Sequence, residues 1–330
     1  MYRSMIVVSF ILGVVIALIP HIVFLIAWLT GKCFSFSVSY APFGWTAAGL
    51  ALLLWSLLAY GYLWGRYRME VNHVEYRSDE VPQAFDGYRL VHISDIHAGT
   101  FDEHPEALQR IVDSINQQDA DLICFTGDMS TLSIDEVRRH TNTLRNIKAR
   151  EGVLSVLGNH DFYIYSLSSN SDREKAARLL TDIEERELGW QVLRNTNKVI
   201  RRGSDSIAIA GVDNIHGGGQ GFATIQKGDL RKATTGLDNL FTILLTHDPS
   251  HWRAEVLPKS SVQITLSGHT HAAQVRLFGW SLANLMFHEC DGRYDEEGRM
   301  LYVNAGIGCT APFRLWCPAE VTVITLRHKD

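Results

Sequence analysis

The sequence predicts an α/β protein in which two β-sheets pack face to face with helices outside them, preceded by a hairpin of two transmembrane helices. Three observations lead there. Residues 1–65 contain only two charged side chains, Arg3 and Lys32, and no carboxylate. From about Met69 onward, short apolar runs alternate with helix-like segments, the pattern of βαβ units. The later part of the chain is richer in strands than in helices, and a second sheet must bury its apolar face against another layer.

The first membrane segment runs through MIVVSFILGVVIALIPHIVFLIAWL, about residues 5–29, and the second through TAAGLALLLWSLLAYGYLW, about 46–64. Roughly 20 residues at 1.5 Å rise cross a hydrocarbon core, so each spans it. The first is longer than a signal-peptide core, lacks an Ala-x-Ala-like cleavage site and is followed by a second span, which opposes removal as a leader. Pro20 is expected to kink the first helix, and His21 to pack against the second. Tyr60, Tyr62 and Trp64 resemble an interfacial aromatic belt. Arg3 precedes the first span, Arg66, Arg68 and Arg77 follow the second, and Lys32 stands alone between them. The positive-inside rule then places both ends and the large domain in the cytoplasm, as a multi-pass protein of a bacterial inner membrane. The expected division is an anchor over 1–65, a linker over 66–87 and a catalytic domain over 88–330.

The soluble part reads as strands at 89–94, 121–126, 153–157, 207–212, 241–246, 262–267, 301–305 and 320–326, with helices over 104–118, 134–148 and 172–188. With 46 % hydrophobic and 20 % charged residues in 330, the chain is neither disordered nor fibrous. Beyond residue 65 it carries 29 Lys+Arg against 36 Asp+Glu, a net of −7, which opposes a phosphate-seeking basic face for DNA or RNA polymers. The five cysteines are odd in number and show no CxxC spacing. A disulfide framework is not expected, and Cys124, inside an apolar run, reads as a core residue.

Five strand runs end in residues able to bind metal. Asp95 and His97 follow the first, Gly127–Asp128 the second and G-N-H-D (158–161) the third. His247 and Asp248 follow the run at 241–246, and G-H-T-H (268–271) the run at 262–267. In α/β sheets ligands bind beyond the carboxyl ends of strands, so these tips can converge across the chain. Carboxylate, imidazole and amide oxygen without thiolate suit Mn²⁺, Fe²⁺ or Zn²⁺. Seven such side chains exceed one tetrahedral site and fit two ions sharing a carboxylate. The glycines before Asp128, Asn159 and His269 permit tight backbone at the tips.

The series D-x-H, G-D, G-N-H-D, T-H and G-H-T-H, from about Tyr88 to Leu326, resembles the calcineurin-like metallophosphoesterase superfamily. The stretch G-H-T-H-A-A-Q-V-R with N-A-G-I-G, P-F-R-L and C-P-A-E-V is similar to a membrane-anchored or exported bacterial branch. That branch includes UDP-2,3-diacylglucosamine pyrophosphatases of lipid A synthesis. The resemblance implies a four-layer α/β/β/α sandwich and two divalent metal ions, manganese first, with iron, zinc or cobalt acceptable. It implies one ion on Asp95, His97 and His271 and another on Asn159, His247 and His269, with Asp128 bridging both. His160 would face the phosphoryl group as a catalytic residue, oriented by Asp161.

Three weaker signals remain. Gly217–Gly221 could cradle a phosphate but reads more simply as a flexible loop. Arg293 and Arg314 could clamp substrate phosphate. The apolar segment LFGWSLANLMF, 277–287, is expected as a core connection, or else as an exposed patch touching bilayer or acyl chains. Tethering favours a lipid-linked or phospholipid substrate in the bilayer, because it raises effective concentration there; the best single candidate is UDP-2,3-diacylglucosamine. The alternatives are a phosphodiesterase for another phospholipid or a nucleotide, and a non-catalytic metal-containing membrane scaffold.

Overall fold

A computed structural model describes residues 2–217 and 225–329; Gly218–Gly221 of the glycine loop lie outside them. The chain divides into two compact units. One comprises residues 1–66 with 311–316, the other residues 67–310 with 317–330.

The first unit is built on α1 (Tyr2–Phe34) and α2 (Ala41–Leu63). α1 runs through Pro20 as one helix. α2 starts five residues before the expected span, because Pro42 sits in its first turn, where a missing N–H costs nothing. Stretches of 22 residues (Gly13–Phe34) and 27 residues (Ala41–Tyr67) are long and apolar enough to cross a membrane. His21 Nδ1 lies 3.1 Å from the hydroxyl of Tyr40, which precedes α2, so this mid-span imidazole has a polar partner inside the hairpin. In the same unit Arg314 donates its backbone N–H to Gly61 O at 3.2 Å. The Phe313 ring occupies the space that a Cβ on Gly61 would need.

Among the described residues the second unit contains fourteen strands: β1 (Met69–Ser78), β2 (Arg89–Ile93), β3 (Leu122–Phe125), β4 (Val153–Ser155), β5 (Gln191–Val192), β6 (Thr196–Arg202), β7 (Asp205–Gly211), β8 (Phe241–Leu245), β9 (Ile264–Ser267), β10 (Arg276–Leu277), β11 (Trp280–Ser281), β12 (Gly292–Glu296), β13 (Arg299–Val303) and β14 (Ala319–His328). One sheet has the order β1-β14-β2-β3-β4-β5 and the other β12-β13-β9-β8-β7-β6. α3 (Pro105–Gln117), α4 (Ile134–Leu144) and α5 (Asn170–Ile183) fall where periodicity put them, within a few residues.

Period-two alternation builds the layers. In β3, Leu122 and Cys124 face the core between the sheets, against Ile207, Ile243 and Leu266. Ile123 and Phe125 face outward against Leu108, Ile111, Val137 and Leu180 of the three helices. On the far side Leu244 and Val303 pack under Trp252 and Val256. Each fully buried Leu, Ile or Phe is worth about 1.5–3 kcal/mol of transfer free energy, so a one-residue slip in β3 would exchange both cores.

Two expectations are corrected. The segment 66–87 is not merely a linker: β1 pairs with β14 in parallel over ten residues. Its apolar residues are too few and too interrupted by Glu, Asn and His to read as a buried strand, because it lies at the sheet edge. The segment 277–287 is not a core connection, since Phe278, Trp280, Leu282, Leu285 and Met286 are exposed. None of the five cysteines is in a disulfide, and Cys124 is fully buried.

Candidate metal centre

β2, β3 and β4 are parallel neighbours in one sheet, and β8 and β9 in the other. Their carboxyl ends deliver the five motif tips to one place. Backbone hydrogen bonds stitch the tips together: Asp95 N–H donates to Gly127 O (2.9 Å), His97 N–H to Asp128 O (3.1 Å) and Gly268 N–H to His247 O (2.9 Å).

The backbone there is strained. Asp95, His97, Asp128, His269 and His271 have φ of +51°, +40°, +60°, +72° and +51°. Left-handed non-glycine residues cost on the order of 1–3 kcal/mol each and persist where the surroundings impose them. Two glycines act by close approach. A Cβ on Gly158 would collide with the Asp128 carboxylate, and one on Gly268 with Ser94 and the Asp95 carboxylate.

The side chains meet without ordinary donor–acceptor logic. His97 Nε2 lies 3.1 Å from His271 Nε2, which lies 3.3 Å from Asp95 Oδ1. His247 Nε2 lies 3.1 Å from both Asp128 Oδ2 and Asn159 Oδ1 and 3.2 Å from His269 Nδ1. Asp95, His97 and His271 offer atoms within 4.8 Å of one another, as do Asp128, His247 and His269. A third such set joins His97 and Asp128 to His160. These groups are nearly all buried.

The outer contacts point the donor atoms inward. His247 Nδ1 lies 2.7 Å from Thr126 O, a carbonyl that can only accept, so Nδ1 carries the proton and Nε2 keeps its lone pair for the centre. Thr131 Oγ1 meets His97 Nδ1 at 3.2 Å. Asp95 Oδ2 accepts the His269 backbone N–H at 3.0 Å, while Asp95 Oδ1 is buried with no well-aligned hydrogen bond among the described residues.

Electrostatics agree with a site built for cations. Burial acts to raise the Asp95 and Asp128 carboxyls, but neighbouring imidazoles outweigh it and hold both below the usual range; His271 and His247 act on Asp95, His247 and His160 on Asp128. Burial acts to lower His247, yet Asp128 and Asp95 lift it to about 10. A proton is thus drawn to where a metal ion would sit. Oxygen and nitrogen donors without thiolate, an orphaned buried carboxylate oxygen and lone pairs turned inward all fit a divalent metal centre.

His160 is buried beside this cluster. Its Nδ1 donates to Thr131 O at 2.8 Å, and its ring lies 4.7 Å from that of Tyr165 and 5.0 Å from that of His97. Asp161 does not orient this ring, which corrects the expected role. Its carboxylate accepts the backbone N–H groups of Asp128 (2.7 Å), Met129 (2.9 Å) and Gly158 (2.9 Å). It points back into the loops because these three amides would otherwise be unpaired. Burial and the Asp128 charge push Asp161 up to about 7, against the amides that favour its anion.

Arg293 does not join the cluster in the described contacts. Arg293 lies on the edge strand β12, bidentate to Asp295 (2.7 and 2.8 Å) and bonded to Glu75 O at 2.6 Å. Arg314 is buried in the hairpin unit. Sequence reasoning missed Thr126, Thr131 and Tyr165. The first two act partly through backbone carbonyls, which no side-chain pattern reveals.

Imidazoles and carboxylates at the tips of two facing sheets define a metal-dependent hydrolase. Residues 88–273 match the calcineurin-like phosphoesterase family, and the chain belongs to that family. A transmembrane protein with metallophosphoesterase domain from Danio rerio is 32 % identical over 292 residues, 84 % of this chain and 62 % of its own length. The chain thus spans less than two thirds of that relative. An uncharacterized metallophosphoesterase, YkuE of Bacillus subtilis (strain 168), is 30 % identical over 82 % of this chain and 91 % of its own. The UDP-2,3-diacylglucosamine pyrophosphatase LpxG of Chlamydia muridarum is 25 % identical over 78 % of this chain and 88 % of its own. In this chain two helices long and apolar enough to cross a membrane precede the phosphoesterase domain.

Proposed function

We propose that this protein is a dinuclear-metal phosphoesterase that cleaves a phosphoester or pyrophosphate bond in a lipid-linked substrate. UDP-2,3-diacylglucosamine, giving UMP and the lipid 1-phosphate, is the leading candidate. The observation that carries the reaction class is the pair of buried donor triads, Asp95–His97–His271 and Asp128–His247–His269. The membrane helices and the likeness to the Chlamydia pyrophosphatase support the choice of substrate.

One ion would be held by Asp95, His97 and His271, the other by Asn159, His247 and His269, with Asp128 shared. When bound, the two cations supply Lewis acidity that acidifies a water and neutralises charge on phosphoryl oxygens. The chain's own residues position and donate. Thr131 O, by accepting from His160 Nδ1, leaves Nε2 as the nitrogen that exchanges a proton with the leaving oxygen, worth about 10²–10⁴-fold in rate. Asp161 fixes the loop that carries Asp128. Manganese is the first metal to test, with iron, zinc and cobalt next.

The large domain lies on the cytoplasmic side of a bacterial inner membrane in this reading. The distribution of Arg3, Arg66, Arg68 and Arg77 around Lys32 supports it, as do five cysteines outside any disulfide.

The test is UMP release from UDP-2,3-diacylglucosamine by the full-length protein in mild detergent with Mn²⁺, with Asp128→Asn as the blank. Release that disappears in the variant supports both reaction and substrate. Hydrolysis of an aryl phosphodiester alone would redirect the search to other phospholipids or nucleotides. Metal binding without either activity would favour a scaffold.

A further inference from the structure

The loop that follows the G-H-T-H turn presents an apolar surface that the phosphoesterase chemistry does not use. β10 and β11 pair antiparallel, with Leu277 opposite Trp280, around the two-residue turn Phe278–Gly279. φ is +51° at Phe278 and +80° at Gly279, the left-handed pair of a hairpin turn that favours Asn-Gly or Asp-Gly. A bulky ring at the first position is strained, yet Phe278 is 109 % exposed. It costs backbone strain and gains no burial in the folded chain. The β12–β13 hairpin has the same pair of left-handed residues, φ +54° and +76°, and there the first position is Glu297.

Around Phe278, Trp280, Leu282, Leu285 and Met286 are exposed by 44, 44, 75 and 50 %. No charged residue occurs from Leu277 to Met286. The polar side chains within that run serve their own loop: Ser281 Oγ accepts from Ala283 N–H at 3.0 Å and Asn284 Oδ1 from Ser281 N–H at 2.9 Å.

The base of the loop is fixed, so the rings are held outward. Arg276 is bidentate to Asp291 (2.8 Å each) and reaches Glu70 at 3.0 Å. Phe287, Ala283 and Cys290 form a small buried cluster, and the Phe287 ring stands edge-on to His269 at 5.8 Å. At the other end of the base, Gln274 Oε1 accepts from Thr310 N–H and Oγ1 at 3.1 and 2.8 Å. The next residue, Ala311, begins the segment that belongs to the unit of the membrane helices.

We propose that this loop is a membrane-docking wedge. Phe278, Trp280, Leu285 and Met286 enter the interfacial layer of the bilayer crossed by the amino-terminal hairpin, and so hold the metal-lined site at the lipid surface. Aromatic and aliphatic side chains gain from the headgroup–acyl boundary. With no charged side chain from Leu277 to Met286, the surface offers a protein partner no ion pair. The proposal rests on the membrane reading of the helices and not on which phosphoester is cleaved.

The test places an NBD fluorophore at Phe278→Cys in the full-length protein, in a Cys33→Ser background because Cys33 is the exposed native thiol. The carrier is a phosphatidylcholine–phosphatidylglycerol nanodisc. The expected result is blue-shifted emission, quenched by nitroxide-labelled lipids and shielded from iodide, while the same label at Glu297→Cys stays water-like. Water-like emission at position 278 would overturn the proposal. Shielding from iodide without nitroxide quenching would also overturn it, in favour of a protein contact. A second measurement needs no new thiol. Brominated lipids should quench wild-type tryptophan emission more than that of Trp280→Phe, and equal quenching would count against the wedge. Both readouts report position and not turnover, so a failed substrate assay leaves them interpretable.

Discussion

Asp161 accepts the backbone N–H of Asp128 at 2.7 Å, and the same carboxylate takes the amides of Met129 and Gly158 at 2.9 Å each. It is a clasp between the loops after β3 and β4, and it sets where the Asp128 carboxylate stands. Asp161→Ala leaves three buried donors without an acceptor, at about 1–3 kcal/mol each. It should lower the melting temperature by several degrees and weaken metal retention. Asp161→Asn keeps one carbonyl oxygen and should fall between the two. Thermal melts with and without Mn²⁺ measure both effects; an alanine variant that melts like wild type would remove the clasp.

His160 distinguishes a proton donor from a ligand. Its Nδ1 is committed to Thr131 O, yet it also completes a possible donor set with His97 and Asp128. As a proton donor, His160→Ala should lower kcat by about 10²–10⁴-fold on a substrate with a poor leaving group. Metal content by mass spectrometry should stay near that of wild type. A loss of one metal equivalent would make His160 a ligand instead.

The donor cluster predicts that stability responds to a divalent metal ion. Asp95, His97, Asp128 and His247 crowd buried charge and lone pairs that only a cation reconciles. Anything that binds the native state alone stabilises it by mass action, about 2.7 kcal/mol at a hundredfold excess over Kd. Chelation should therefore lower the melting temperature reversibly, and Asp128→Asn should abolish most of that metal response. A melting curve indifferent to both chelator and Mn²⁺ would contradict the centre.

Much of this was legible because the information is local and periodic. Leu122, Ile123, Cys124 and Phe125 alternate between two cores, and an apolar run ending in Gly-Asp announces both the strand and its tip. β1 was less legible because an edge strand carries Glu70, Asn72 and His73 in place of a continuous apolar run. Asp161 was misread because its partners are backbone amides of Asp128, Met129 and Gly158, and a motif does not say which way a carboxylate points. Phe278 was read as a core connection for a similar reason. Hydropathy reports that a side chain avoids water, not whether protein or lipid supplies the refuge.

Glu184 carries a pH dependence that separates the scaffold from the centre. It opens the turn after α5, is fully buried, and its Oε2 lies 2.5 Å from Ser155 Oγ. Burial first, then the charge of Asp161, raises this carboxyl well above 4.5. The folded state therefore holds a proton that the unfolded chain releases once pH passes its ordinary value. Its contribution to stability is present below pH 4.5 and is lost as pH rises toward the folded value, at most about 1.4 kcal/mol per pH unit. Glu184→Gln keeps the shape and an acceptor for Ser155 without the titration. The melting temperature of the glutamine variant should gain on wild type as pH rises from 5 toward 8, with metal content unchanged. A difference that stays constant over that range would mean that Glu184 titrates normally in the fold.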